Sequence, residues 1–343
     1  MTSNPPTDGI HLATEFLDRS TPASRIRHLL LRYPALSPAI VLLIAVIIFG
    51  LLNERFLLPN NLSLIVQQVA IVGTVAAAQT IIILTAGIDL SVGAAMVLSS
   101  MVMAQLATEA GGLPAAVALV VGFLAAVGAG ALNGALVTRL KLPPFIATLG
   151  TLNIFIALTL LYSGGQTIIG ADLPELLTWT GSIIDIAGVR ITTGVLIMVV
   201  LYLVLAFVLG QTAWGRHVYA VGDDKDAARL AGIPVTRVLM SVYLTAGAIL
   251  AIAAWLQIGR SDAAGPNAAV DVNLDSITAV VIGGTSLFGG RGIIWGTLLG
   301  ALIVGVFRNG LSLAGVDSLY QTFAVGVLVI AAVSIDHWIR KAK

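Results

Sequence analysis

Crossing about 30 Å of hydrocarbon takes roughly 20 apolar residues in a helix, and this sequence returns to runs near that length from residue 38 to residue 335. Bounded by charges, prolines and glycine clusters, the runs number ten: Ser37–Leu52, Leu62–Thr85, Leu90–Ala107, Leu113–Val137, Phe145–Tyr162, Ile191–Gly210, Val238–Ile258, Leu274–Phe288, Ile293–Phe307 and Leu319–Ile335. No polar block between them is large enough for a soluble domain, and only 10% of residues are charged, against roughly a quarter in soluble domains. The expected fold is therefore an all-α integral membrane domain. The first, eighth and ninth runs are short, and Gly283, Gly284, Gly289 and Gly290 are expected to turn the eighth and ninth into half-helices with broken backbone.

Lys and Arg accumulate on the cytoplasmic side of short loops. With the amino terminus inside, 14 of the 18 basic residues fall inside, and only Arg55, Arg190, Arg260 and Arg308 fall outside. A miscount of one span would exchange whole blocks, so ten spans with both termini cytoplasmic is the topology expected. Residues 1–36 form a cytoplasmic tail, 37–338 the membrane domain and 339–343 a second tail. The first 33 residues are polar and lack the features of a secretory signal.

Two loops stand out. Residues 163–190, placed outside, are long enough for a small structured element with Asp172, Glu175 and Asp185 facing solvent. Residues 211–237, placed inside, hold a short helix capped by Asp223 or Asp224 and stopped by Gly232 with Pro234 behind it. Ala227, Leu230 and Ala231 can share one face of that knob. A Gly-x-x-Leu-x-x-Gly frame occurs at Gly87–Gly93 and again at Gly284–Gly290, 197 residues on. That offset superposes the first four spans on the last four, as an internal repeat would.

Several chemistries are excluded. No Lys follows a Gly, so the phosphate-cradling Gly-Lys-Ser/Thr loop is missing, and ATP used on behalf of this chain must be hydrolysed by another polypeptide. Asp89, Asp275, Arg308 and Asp336 sit near span ends, which gives little support to a proton relay, for which buried ionisable groups are needed. The four histidines lie far apart at membrane ends and there is no cysteine, so no metal centre, thiol chemistry or catalytic dyad is expected. A net charge of +1 offers nothing to nucleic acid.

What remains inside the spans is neutral polarity. Gln68 and Gln79 lie on one stripe of the second span, and Asn133, Thr148 and Asn153 stand in the fourth and fifth. Amides in lipid need partners, so each of these either bonds a neighbouring helix or lines a solute path. Gly130-x-x-x-Gly134 and Gly296-x-x-x-Gly300 permit close helix crossings.

Three stretches resemble signatures of the ribose/xylose/arabinose-type permeases of bacterial ABC sugar importers: Thr85–Gly93 (with Gly87, Asp89, Ser91 and Gly93), Leu142–Gly150, and Ala279–Gly292 (with Gly283, Gly284, Gly289 and Gly290). Gly215–Gly222 followed by Ala227–Ile233 is similar to that family's cytoplasmic loop. The resemblance implies an inner-membrane permease working as a homodimer with cytoplasmic ABC ATPase subunits and a periplasmic sugar-binding protein. It further implies that Arg216, Asp224, Arg229, Leu230 and Gly232 engage the ATPase, and that loops 163–190 and 260–273 receive the binding protein. ATP and Mg would be bound by the partner and no cofactor by this chain. The path would be shallow and neutral, without a charged pocket, and the solute a pentose or hexose, with a slight leaning to the fructose branch. Ala86 departs from the pattern, since many members carry glycine there. The rival reading is an ion-coupled secondary transporter of a neutral polar solute.

Overall fold

The computed structural model describes residues 35–108, 112–186, 189–268 and 271–341; nearly all of the amino-terminal tail read from the sequence lies outside them. The helices are α1 (Leu36–Leu52), α2 (Pro59–Leu84), α3 (Val92–Thr108), α4 (Ala115–Thr138), α5 (Pro144–Ser163), a short α6 (Glu175–Thr178), α7 (Thr193–Gln211), α8 (Ala213–Asp223), α9 (Lys225–Leu230), α10 (Val235–Ser261), α11 (Val272–Ile282), α12 (Ile294–Leu313) and α13 (Ser318–Lys341). By length and composition six of them, α2, α4, α5, α7, α10 and α12, can cross a membrane; α1, α3, α11 and the first half of α13 are shorter and also apolar. Together they coincide with the ten apolar runs.

Helix α2 is the axis of the bundle. Within its most apolar window 78% of residues are buried, against 28% in α4 and in α5, so α2 is enclosed by helices while α4 and α5 lie at the edge. Lipid gives no hydrophobic reward for helix association, and close packing of small residues has to hold such a bundle. Both glycine pairs serve this. A β-carbon at Gly130 would run into the Tyr243 carbonyl of α10, and one at Gly300 into the Ala279 carbonyl of α11. Pro59 and Pro144 stand at the first turns of α2 and α5, where a missing N–H leaves no bond unmade.

Two expectations about glycine are corrected. The eighth run does fold as a half-length helix: α11 has 11 residues, about 17 Å at 1.5 Å per residue, and ends before an irregular stretch from Gly283 to Ile293. The ninth does not, because the positive-φ glycines Gly289, Gly290 and Gly292 all precede it, and α12 runs unbroken for 20 residues. The internal echo also shifts by one residue. The caps of α2 and α11 share a bonding pattern, Ala86 N to Ile83 O and Gly87 N to Ile82 O against Gly284 N to Val281 O and Thr285 N to Val280 O. Ala86 (φ 59°) therefore corresponds to Gly284 (φ 83°), and Gly87 does not.

At one end of the bundle, the hairpin end, β2 (Ile183–Ile186) pairs with β3 (Val189–Thr192) and β1 (Ile168–Ile169) with β4 (Ala263–Ala264), both antiparallel. Asp172, Glu175 and Asp185 are exposed there. The opposite, knob end carries α8 and α9.

Candidate functional site

A cavity of about 470 Å³ opens toward the hairpin end between α2, α10, α11, α12 and α13. Gln68, Gln257, Arg260, Asp275, Arg308 and Asn309 contribute polar groups to its wall. Arg308 sits about 21 Å along α12 and donates through Nη2 to Asp275 Oδ1 at 2.7 Å, while Nη1 lies 3.6 Å from Asp271 Oδ2. Asp275 is nearly enclosed and Asp271 half exposed, at 5% and 53% of side-chain area, so the 2.7 Å pair is the one that matters energetically. With Arg260, two cations face two carboxylates and the lining is neutral overall. The lining of this cavity therefore carries charge, whereas the path was expected to be neutral: the short α11 brings Asp275 against Arg308.

A second polar cluster is closed. After α2 the chain turns back along it: Gln79, with its amide nitrogen facing the Asp89 carbonyl (3.1 Å) and its oxygen facing the Asp89 N–H (3.3 Å), brackets the backbone of Asp89. Asp89 Oδ1 accepts from the Ser91 N–H and hydroxyl, both at 2.7 Å. Asn133 donates to Asp89 Oδ2 at 3.0 Å and to Ser91 Oγ at 2.8 Å, and accepts from the Thr151 hydroxyl at 2.7 Å. Thr148 accepts from the Leu90 N–H at 3.1 Å. Gln79, Asp89, Ser91, Asn133, Thr148 and Thr151 are all buried. An extended segment inside an apolar bundle must bond every main-chain group it exposes, and side chains of α2, α4 and α5 satisfy the Asp89–Ser91 turn. Gly93 N–H then donates to Asn273 Oδ1 at 2.6 Å, tying the start of α3 to the start of α11.

At the knob end three motifs converge. Gly290 N–H donates to the Leu84 carbonyl at 3.0 Å, and Gly222 of α8 lies so close that a β-carbon would strike that carbonyl and come within 2.6 Å of Gly290 N. Tyr219 Oη donates to the Gly292 carbonyl at 2.9 Å, and Trp214 Nε1 to Ser241 Oγ of α10 at 2.7 Å. Helix α8 is thereby fixed to α2, α10 and the Gly283–Ile293 stretch at once. Beyond it Asp224 caps α9 by accepting from the Ala227 and Asp226 N–H groups at 2.9 and 2.8 Å, and those bonds hold its carboxyl below the usual carboxylate range. Gly232 (φ 83°) ends the knob, and Leu230 projects from it 90% exposed.

Residues 61–333 match the family model for the permease component of branched-chain amino acid transport systems. A fructose import permease protein of Rhizobium meliloti is 51% identical over 321 residues, covering 92% of this chain and 89% of that protein. A ribose import permease protein of Bacillus subtilis is 42% identical (88% and 92% covered), and a D-allose transport system permease protein of Escherichia coli K12 is 37% identical (88% and 91%). No solved structure matches. The chain belongs to this permease family.

As a permease it is a multi-pass inner-membrane protein, and the sequence-read residues sort by place. Of the five read as path or glue, Gln68 borders the cavity, whereas Gln79, Asn133 and Thr148 belong to the closed Asp89 cluster. Asn153 meets neither, being exposed on α5 with one bond to its own Leu149 carbonyl at 3.0 Å. Arg216, Arg229, Leu230 and Gly232 lie on α8, α9 and the turn after it, Arg229 pairing with Asp226 at 2.9 Å. Ala86, where the resemblance leads one to expect glycine, sits in the left-handed region (φ 59°), where a β-carbon costs of order 1 kcal/mol. Two features escaped sequence reading. Arg308 and Asp275 were discounted as span ends, although a charged pair 33 residues apart beside a glycine-broken helix was the available signal. Helix α8 was absorbed into its loop, although Val218 and Val221 lie three residues apart on one face.

Proposed function

We propose that this permease is the membrane subunit of an ABC importer that passes a neutral monosaccharide inward by alternating access. A separate cytoplasmic ATPase binds and hydrolyses Mg-ATP, a periplasmic protein delivers the sugar, and a second copy of the chain pairs with this one in the membrane. In this reading ten spans place both termini and the knob end in the cytoplasm and the hairpin end in the periplasm.

The observation that carries the proposal is the vestibule. Its volume falls within the usual 300–1,000 Å³ of small-molecule sites, and its lining of amides and mutually neutralised charges suits a solute with many hydroxyls and no net charge. An ionised solute would have to displace Asp275 or Arg308 from its partner, while a hydroxyl can donate to the one and accept from the other. Leu230, Arg229 and Arg216 are the surface offered to the ATPase, and the bonded α8 carries its movement to α2. Fructose is the first sugar to test, since the fructose import permease protein is 51% identical.

The test is reconstitution in liposomes with its cognate ATPase and binding protein. Fructose-loaded binding protein should stimulate both ATP turnover and uptake. Uptake by the permease alone, driven by an ion gradient without nucleotide, would refute the proposal in favour of a secondary carrier.

A further inference from the structure

Away from the vestibule, the hairpin end holds a second concavity of about 420 Å³, lined by Glu175, Leu176, Trp179 and Trp255. It is rigidly built. Helix α6 runs into a single 3-10 turn, Trp179–Gly181, and both are bonded to α10: Thr180 Oγ1 donates to the Trp255 carbonyl at 2.9 Å, and Trp255 Nε1 donates to the Leu176 carbonyl at 3.0 Å. Gly181 sits so close to Gly259 that a β-carbon would strike the Gly259 carbonyl. The two indoles are thereby held stacked, with centroids 5.7 Å apart and planes at 28°. Stacking uses one face of Trp179, and 44% of that residue is still exposed. Glu175, four residues earlier, projects to the same side. It too is exposed, and no cation pairs with its carboxylate among the described residues.

Trp255 lies about 9 Å along the axis from the Ser261 end of α10, and the Trp179 carbonyl accepts from the hydroxyl of Thr193, the first residue of α7, at 2.7 Å. The indoles therefore stand where the spans leave the hydrocarbon. Helices α4 and α10 cross antiparallel, Gly134 beside Met240, Gly130 beside Tyr243 and Ala126 beside Gly247, which brings the exposed Val120 of α4 to the level of Trp255 and the exposed Leu124 deeper. From this we infer that the Trp179–Trp255 concavity is a lipid site selective for a phospholipid with a primary ammonium headgroup, of the phosphatidylethanolamine type. An ammonium over the open indole face is held by the ring quadrupole and donates charge-assisted hydrogen bonds to Glu175, while the acyl chains run down past Val120 and Leu124. A choline headgroup has no N–H to give Glu175, and phosphatidylglycerol brings a net negative charge toward Glu175 and the exposed Asp172. Interfacial tryptophans alone anchor a span without choosing a headgroup; the unpaired carboxylate beside the indole supplies the choice. The inference goes beyond the importer reading and requires only that the chain lies in a bilayer.

Native mass spectrometry of the full chain in detergent, titrated with phosphatidylethanolamine, phosphatidylcholine and phosphatidylglycerol of identical acyl chains, reads the site directly. Phosphatidylethanolamine should bind about tenfold more tightly than either of the others. Glu175→Gln, at an exposed position where thermal unfolding should not change, should bring it down to the phosphatidylcholine level. Trp179→Leu should weaken both lipids and provides a second reading of the same site. Glu54→Gln, which removes an exposed carboxylate elsewhere, should leave the preference intact and so separates the site from overall charge. Equal affinity for the three lipids would overturn the proposal and leave the indoles as an unselective anchor. A preference for phosphatidylglycerol, or one for phosphatidylethanolamine that survives both Glu175→Gln and Trp179→Leu, would overturn it as well.

Discussion

Replacing Gly222 by alanine adds one carbon at the point where α8 meets α2 and the Gly283–Ile293 stretch. The new β-carbon would overlap the Leu84 carbonyl oxygen and stand 2.6 Å from Gly290 N and 2.8 Å from Leu84 C, all backbone atoms that no rotamer change can move aside. Overpacking of this kind costs typically 1–3 kcal/mol, and wedging Gly290 away from Leu84 forfeits a buried hydrogen bond whose unpaired groups cost a further 1–3 kcal/mol. The bundle should relieve this by lifting α8 off its seat. The exposed knob, with Leu230 on its far side, keeps its shape. The expected result is an uncoupled transporter, in which Gly222→Ala recruits the ATPase as well as the parent does but sugar uptake per ATP hydrolysed falls at least tenfold. Reconstituted vesicles with parallel measurement of phosphate release and sugar uptake read this directly. Gly128→Ala is the control, since its β-carbon would meet nothing within 4 Å and alanine favours the helix. Parent-like coupling in Gly222→Ala would refute the idea that α8 acts through a rigid seat on Leu84 and Gly290.

Other outcomes follow from the same geometry. Leu230→Asp should abolish ATPase recruitment in pull-down while leaving the thermal unfolding of the permease unchanged, because the side chain is 90% exposed. Asn133→Ala should destabilise by about 2–5 kcal/mol, since Asp89, Ser91 and Thr151 each lose a buried partner; thermal denaturation in detergent measures this, and a parent-like midpoint would show the cluster to be dispensable. Arg308→Gln should cost about 3 kcal/mol by leaving the enclosed Asp275 unpaired, Asp271→Asn well under 1 kcal/mol because that carboxylate is half exposed and 3.6 Å away, and uptake should fall in the same order.

The helices were legible because each carries its own signal. An apolar run between Pro59 and Leu84 has few alternatives to a spanning helix, and Gly232 with Pro234 behind it ends a short helix wherever it occurs. The roles of polar residues were not legible, because partners are set by tertiary distance. Gln68 and Gln79 share a stripe of α2, yet one borders the cavity and the other brackets Asp89, since the chain doubles back only at the knob end. Asn133 gave no hint that it serves Asp89, which stands 44 residues earlier. The charged lining was missed for a related reason: treating Leu274–Phe288 as one span fixed Asp275 at a surface, and only the irregular stretch after Ile282 frees α11 to sit deeper.

Those same elements explain why the molecule is open at one end and shut at the other. Gly305 packs against Val69 in the vestibule wall, and beyond it the Thr80 and Thr297 hydroxyls of α2 and α12 bond at 2.7 Å, while Leu84 O receives the N–H of Gly290, just ahead of α12, at the knob end. In the importer reading this seam must part for a sugar to pass. Helix α8 spans both of its sides, through Gly222 on Leu84 and Tyr219 on Gly292, so displacing α8 acts on the seam at its knob end. The bonds then left to break contribute only about 1 kcal/mol each, which a modest displacement can overcome. Once parted, the seam presents the Thr80 and Thr297 hydroxyls to the solute, groups that can exchange one hydrogen bond for another with a sugar but offer an ion no countercharge. Selectivity for an uncharged guest would thus be built into the closure itself as well as into the balanced charges above it.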